Sequence, residues 1–122
     1  MSGPERRFPR AVYGGGREPD VRFSLANERT FLAWIRTSLA LLAVGIALEA
    51  LPLPMEPGLR RAAALLFLAM GAATPVQAWF GWVRVERAIR HDRPLPASLL
   101  AAPLTVGILL AVALLGVGVL VA

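Results

Sequence analysis

The residues of this chain best able to do chemistry are charges placed where charge is costly. In "RFSLANERTFLAWIRTSLALLAVGIAL", Arg22 to Leu48, Glu28 and Arg29 stand at the mouth of a long apolar run and Arg36 lies inside it. An inert anchor has no use for them, since ionisable groups within a bilayer face protein or water and mark a pathway or a paired site. Arg29, Ala33, Arg36, Ala40, Ala43, Ala47 and Ala50 recur at spacings of four and three, so a helix stacks them on one face. Arg22 extends the same seven-residue series. The stripe is basic at one end and small along the rest, while Phe31, Leu32, Ile35, Leu39 and Leu42 make a bulky opposite side for lipid or intersubunit packing.

Three uses of the stripe stay open. Small residues let helix backbones approach closely inside a membrane. A stripe lining water would make Arg29 and Arg36 an anion-attracting mouth, as rings of Arg do in anion and phosphate pores. Clustered Arg also attracts anionic lipid headgroups. Arg84 and Arg87, which end the second apolar run, are candidates to join the same anion or headgroup site. Glu28 is either an N-terminal acid favourable to the helix dipole or the partner of Arg84 or Arg87 in an ion pair. Asn27 completes that polar cluster or serves as an alternative N-cap. Gln77 stands within the second apolar run, at the end of the series Ala69, Ala73, Gln77 and Gly81. It suits an interhelical hydrogen bond or a pore lining.

Other chemistries find little support. The chain has no Cys, hence no thiolate nucleophile, disulfide framework or thiolate metal site. His91 is alone beside Asp92 in a polar turn, and no metal or cofactor is expected. Ser24, Ser38 and Ser98 have no base near them in the pattern, and "YGGGRE" lacks the elements of a phosphate-binding loop. The chain does not read as an enzyme. A pI of about 11.5 would permit nucleic-acid binding, but no basic stripe with interleaved aromatics is left once the apolar runs are removed, so no nucleic acid is expected. All thirteen basic residues are Arg, from which no function is drawn.

The elements that must position these residues follow from hydropathy. The 122 residues suffice for one domain, and 57% of them are hydrophobic, above an ordinary soluble chain. Residues 1–20, rich in Pro, Gly and Arg, have no periodic apolar face and read as a flexible cytoplasmic tail. Residues 21–122 read as an all-α domain of three transmembrane helices, about 24–51, 60–91 and 98–121, packed as a bundle and expected to be oligomeric. Ser24 is the expected first cap, and Pro52 and Pro54 end the first helix. Pro75 should kink the second helix, with Thr74 and neighbouring helices satisfying the carbonyl it releases. Trp79 and Trp82 suit an interfacial belt, and Glu86 to Arg90 is a favourable i,i+4 pair. Gly107 with Ala111, and Gly116 with Gly118, point to tight packing of the third helix.

Arg placement sets the expected orientation. Seven Arg precede or reach residue 36 and four lie between residues 84 and 93, against two Arg and two Glu between residues 49 and 61. The N-terminus and second connection should be cytoplasmic, with the first connection and C-terminus outside.

The motif "LANERTFLAWIRTSLAL", with a second span ending in "VRVERAIRHDRPLP", resembles the YidH-like family of small three-helix membrane proteins, over roughly Pro19 to Val121. The resemblance implies a multi-pass protein of the bacterial inner membrane. The same domain is similar to the membrane portion of the fungal vacuolar transporter chaperone complex, where several copies surround a basic passage for polyphosphate. That likeness implies a place for Glu28 and Arg29 near a cytoplasmic mouth, with Arg84 or Arg87 matching basic positions at the end of the second span. No polymerase or phosphate-sensing domain is present here, so polyphosphate synthesis does not carry over. The expected partners are membrane lipids, further copies of the chain or another membrane protein, and an anionic ligand. The expected role is a self-associating structural or assembly subunit with an Arg-rich anion or headgroup site. Its alternative is an oligomeric anion or polyphosphate conduit lined by the Arg/Ala face.

Overall fold

A computed structural model describes all residues except 1–6, 97, 98 and 100. It contains a short helix, α1 (Arg10–Tyr13), and three long ones, α2 (Val21–Ala50), α3 (Pro57–Arg90) and α4 (Ala101–Leu120). The three long helices are each long and apolar enough to cross a membrane. At about 1.5 Å per residue, α4 matches a hydrocarbon layer of about 30 Å, whereas α2 and α3 exceed it by several turns. That excess carries the polar chemistry.

The first cap differs from the expectation. Asp20, not Ser24, caps α2: its carboxylate accepts from the Arg22 amide at 2.9 Å, leaving the Ser24 hydroxyl free to work between helices. α3 begins earlier than expected, because Pro57 takes the first turn, where its missing N–H costs nothing, and Glu56 accepts from the Leu59 amide at 2.7 Å. The helix closes at His91, followed by Asp92 in the left-handed region at φ 51°. For the third span, the expected start at Ser98 lies outside the described residues.

α3 is the central element. It packs on α2 along one side and on α4 along another. The core joins Leu41 and Leu48 of α2, Ala63, Ala64 and Phe67 of α3, and Ala111 of α4. Small residues set the spacing: Gly45 lies against Ala64 and Leu68, Gly71 against Leu42, and Gly107 against Met70. Where lipid is as apolar as the helices, this close packing and interhelical hydrogen bonds hold the helices together. One such bond is the Ser38 hydroxyl donating to the Gly71 carbonyl at 2.6 Å. Of the two expected sources, the neighbouring helix thus serves the carbonyl that Pro75 releases, while Thr74 bonds the Met70 carbonyl, also at 2.6 Å. Gly116 has open space beside it, so the tight packing expected of the pair Gly116 and Gly118 holds only at Gly118, which meets Met55 and Leu59.

The segment expected to be a free tail is folded back in its described part. Residues 7–20 run across the end of α3, α1 packs on α3, and Val12 is fully buried. The physical reason is a buried arginine, Arg90, whose donors this segment satisfies.

Candidate functional site

Two helix ends and the folded-back segment 7–20, here termed the strap, build the polar site. The N-terminal turns of α2 bring Ser24 and Asn27, three residues apart, to one face. The last turns of α3 bring Trp82, Glu86 and Arg90, at four-residue spacing, to the facing one. Glu86 is only 2% exposed. One of its carboxylate oxygens accepts from Ser24 Oγ at 3.2 Å and the other from Asn27 Nδ2 at 3.1 Å. Asn27 Nδ2 also donates to the Trp82 carbonyl at 3.1 Å. These bonds tie α2 to α3 where both have outrun the apolar layer.

The i,i+4 ion pair expected between Glu86 and Arg90 is not formed. Each side chain turns to a different element: Glu86 to α2, Arg90 to the strap. Arg90, 3% exposed, donates from Nε to the Gly15 carbonyl at 2.9 Å and from Nη2 to the Tyr13 carbonyl at 3.3 Å. Its Nη1 reaches Glu18 at 3.4 Å. In return the Arg17 amide donates to the Arg90 carbonyl at 2.8 Å. Gly16, at φ +69°, lies so close that a Cβ would stand 2.5 Å from that carbonyl oxygen, so the strap requires glycine here.

Arg7 closes the strap, one terminal nitrogen meeting both Glu18 oxygens at 2.7 Å. Its guanidinium lies 4.3 Å from the Tyr13 ring centroid. The Arg7 hydrogen bond holds the Glu18 carboxyl below its ordinary value and the same pair raises Arg7. Behind them runs an aromatic series: Trp79 and Trp82 stack at 5.5 Å, Tyr13 meets Trp82 at 6.4 Å, and Phe31 meets Trp79 at 6.5 Å. Strap and helix ends enclose a recess of about 390 Å³, into which Glu18, Glu28, Glu86, Arg7 and Arg90 all face.

The residues singled out in the sequence divide into groups. Asn27 is buried in the site, and Glu28 is exposed at the recess edge. Among the described residues Glu28 forms no ion pair with Arg84 or Arg87. Arg84 shares a smaller recess of about 200 Å³ with Asn27 and Gln77, and Gln77 makes no side-chain hydrogen bond there among the described residues. Arg29, Arg36 and Arg87 are exposed and line neither recess. Sequence reasoning missed Ser24, Glu86 and Arg90 as partners across elements. Their signal is the repeat of polar residues at three- and four-residue spacing beyond the apolar runs.

Residues 22–88 match the domain of unknown function DUF202. The chain belongs to the DUF202 family. The matched range holds α2 and nearly all of α3, and so includes Ser24, Asn27, Ser38, Gly71 and Glu86; the strap, Arg90 and α4 fall outside it. The chain is similar to the inner membrane protein YidH of Escherichia coli K12, 44% identical over 106 residues that cover 84% of this chain and 90% of the relative. It is also similar to the uncharacterized protein Rv2272 of Mycobacterium tuberculosis H37Rv, 41% identical over 92 residues, 75% of each chain. No solved structure matches significantly. The DUF202 match thus centres on the α2–α3 pair, the unit that the buried Glu86 cluster and the Ser38 bond hold together.

Proposed function

We propose that this DUF202 chain is a self-associating structural or assembly subunit of the bacterial inner membrane, with its N-terminus and the α3–α4 connection cytoplasmic. One observation carries the reading. α2 spends its burial on Asn27, Ser38, Leu41, Gly45 and Leu48, which leaves Arg29, Ala33, Arg36, Ala40 and Ala43 exposed. An arginine two turns inside an apolar span costs about 2.5–3.5 kcal/mol at the layer centre, less where its stem reaches the interface. The face is therefore one for a second copy along its alanines and for anionic headgroups at Arg29 and Arg36. Arg84 and Arg87 extend the same basic end. Membership of a family that includes an inner membrane protein supports the location.

The same exposed face supports a second reading, an oligomeric anion or polyphosphate conduit with the stripe toward water. Three helices in one copy are too few to enclose a wide pore, so this reading also needs an oligomer.

The lack of native Cys makes the test direct. Single cysteines at Ala40 and, as a control on α4, at Val112 are placed in the full chain in native membranes. The expected result is oxidant-driven dimers at residue 40 only, protected from a charged, membrane-impermeant thiol reagent, with the dimer yield reduced by Arg36→Gln. Rapid labelling at residue 40 would replace this reading by the conduit. A protein that is monomeric in a native-like bilayer would overturn both.

A further inference from the structure

Among the described residues, the buried acid of the site is hydrogen-bonded only by neutral groups. Glu86 is held by two neutral donors, Ser24 and Asn27, and makes no ion pair among the described residues. Burying a carboxylate costs several kcal/mol unless a cation compensates it. Glu86 also faces the recess of about 390 Å³, a volume in the range that takes a small molecule. Glu18 and Glu28 add two more carboxylates to its wall, and Tyr13, Trp79 and Trp82 add aromatic rings. Carboxylates combined with aromatic rings suit an organic cation, since the ring faces attract positive charge that the acids then fix.

The chain itself supplies an example of the occupant. Arg7 lies on the Tyr13 ring and on Glu18, and its side chain is 41% exposed. An ion pair that exposed holds weakly. Arg90 differs: it is buried and anchored to two backbone carbonyls as well as Glu18, so it belongs to the wall.

We propose that this recess binds a small organic cation bearing a guanidinium or primary ammonium group, in competition with Arg7. The cation would meet Glu18 and the Tyr13 ring where Arg7 now does, and would take over from Arg7 the positive charge opposite Glu86. Such a group comes either from a solute or from the ammonium of a lipid headgroup, because Trp79 and Trp82 suit the interfacial level of a bilayer.

The test uses the full chain in nanodiscs of phosphatidylglycerol, with ethylguanidinium as probe and calorimetry and tryptophan fluorescence as readouts. Arg7→Ala should bind the probe about tenfold more tightly than the unmodified chain, the order expected from removing one cation–π and ion-pair competitor. Arg7→Lys should restore the weaker binding. Glu18→Gln in the Arg7→Ala background, where the ion pair is already removed and the Arg90 bonds to Tyr13 and Gly15 still hold the strap, should abolish the gain, and Glu86→Gln should do the same. An Arg7→Ala chain with unchanged helicity and melting but no tighter binding would overturn the proposal. So would a gain that persists in Glu18→Gln and Glu86→Gln. Replacing half the lipid by phosphatidylethanolamine then assigns the source: weakened probe binding identifies the headgroup, and unchanged binding identifies a solute.

Discussion

The Ser38 hydroxyl donates to the Gly71 carbonyl at 2.6 Å, and Gly71 is the residue whose helical donor Pro75 removes. In a regular helix the amide of residue 75 would bond the carbonyl four residues back, and proline has none. α3 nevertheless runs unbroken from Pro57 to Arg90 with Pro75 inside. A side chain of α2 thus completes the backbone bonding of α3, and the two helices are fixed in register at that point.

This relationship predicts a coupling. Ser38→Ala leaves a buried carbonyl without a donor and should destabilise the α2–α3 pair by about 1 kcal/mol. Pro75→Ala gives residue 75 an amide that can serve Gly71 directly, so Ser38→Ala should then cost about half as much or less. Unfolding in bicelles across the four combinations measures the interaction. Equal costs of Ser38→Ala in both backgrounds would show that the hydroxyl does not substitute for the missing amide.

The glycines separate into two kinds. A Cβ on Gly71 would stand 2.7 Å from Leu42 side-chain atoms and 3.1 Å from the Leu42 amide nitrogen. Since the backbone cannot yield as a side-chain tip can, Gly71→Ala should push α2 away and cost about 1–3 kcal/mol. Gly81 has nothing within 4 Å, so Gly81→Ala should be neutral or stabilising by up to about 1 kcal/mol through helix propensity. Parallel unfolding curves of the two variants decide the matter, and equal losses would refute the packing argument.

What was legible in the sequence follows from what periodicity can encode. Three uncharged runs of Ala, Leu, Val and Gly are sufficient for three spans, because length against layer thickness is a one-dimensional question. The Arg/Ala stripe was legible as a face for the same reason. Its neighbour was not, since a wheel shows which residues share a side and says nothing of which helix covers it. Leu42, read as part of an outer bulky side, packs on Gly71, and the buried side is set instead by Asn27, Ser38, Leu41, Gly45 and Leu48.

The polar site was hidden by a different cause. Glu86 and Arg90 satisfy the i,i+4 rule, and that local solution hid the non-local one: Ser24 and Asn27 for the acid, Tyr13, Gly15 and Glu18 for the base. Composition likewise marked the N-terminal residues as unable to bury apolar area. They order here by a different term, since backbone carbonyls serving a buried guanidinium need no hydrophobic periodicity. A chain rich in Gly and Pro supplies such carbonyls readily.

The strap should respond to acid, in a direction set by Glu18. Its carboxyl lies below the ordinary value of 4.5, chiefly through the hydrogen bond from Arg7. A depressed carboxylate adds stability that is fully present above pH 4.5 and is lost as pH falls through the lowered value. The Arg90 bonds to Gly15 and Tyr13 carbonyls do not titrate in that range, so the Arg7–Glu18 end should loosen while the middle of the strap holds. A spin label on Phe8→Cys should therefore gain mobility as pH drops below 4.5, and one on Ala11→Cys, nearer the Arg90 anchor, should change less. Glu18→Gln should make the label at residue 8 mobile already at pH 7 and remove the acid transition. A label at residue 8 whose mobility is independent of pH and of Glu18→Gln would show that the ion pair does not hold the strap.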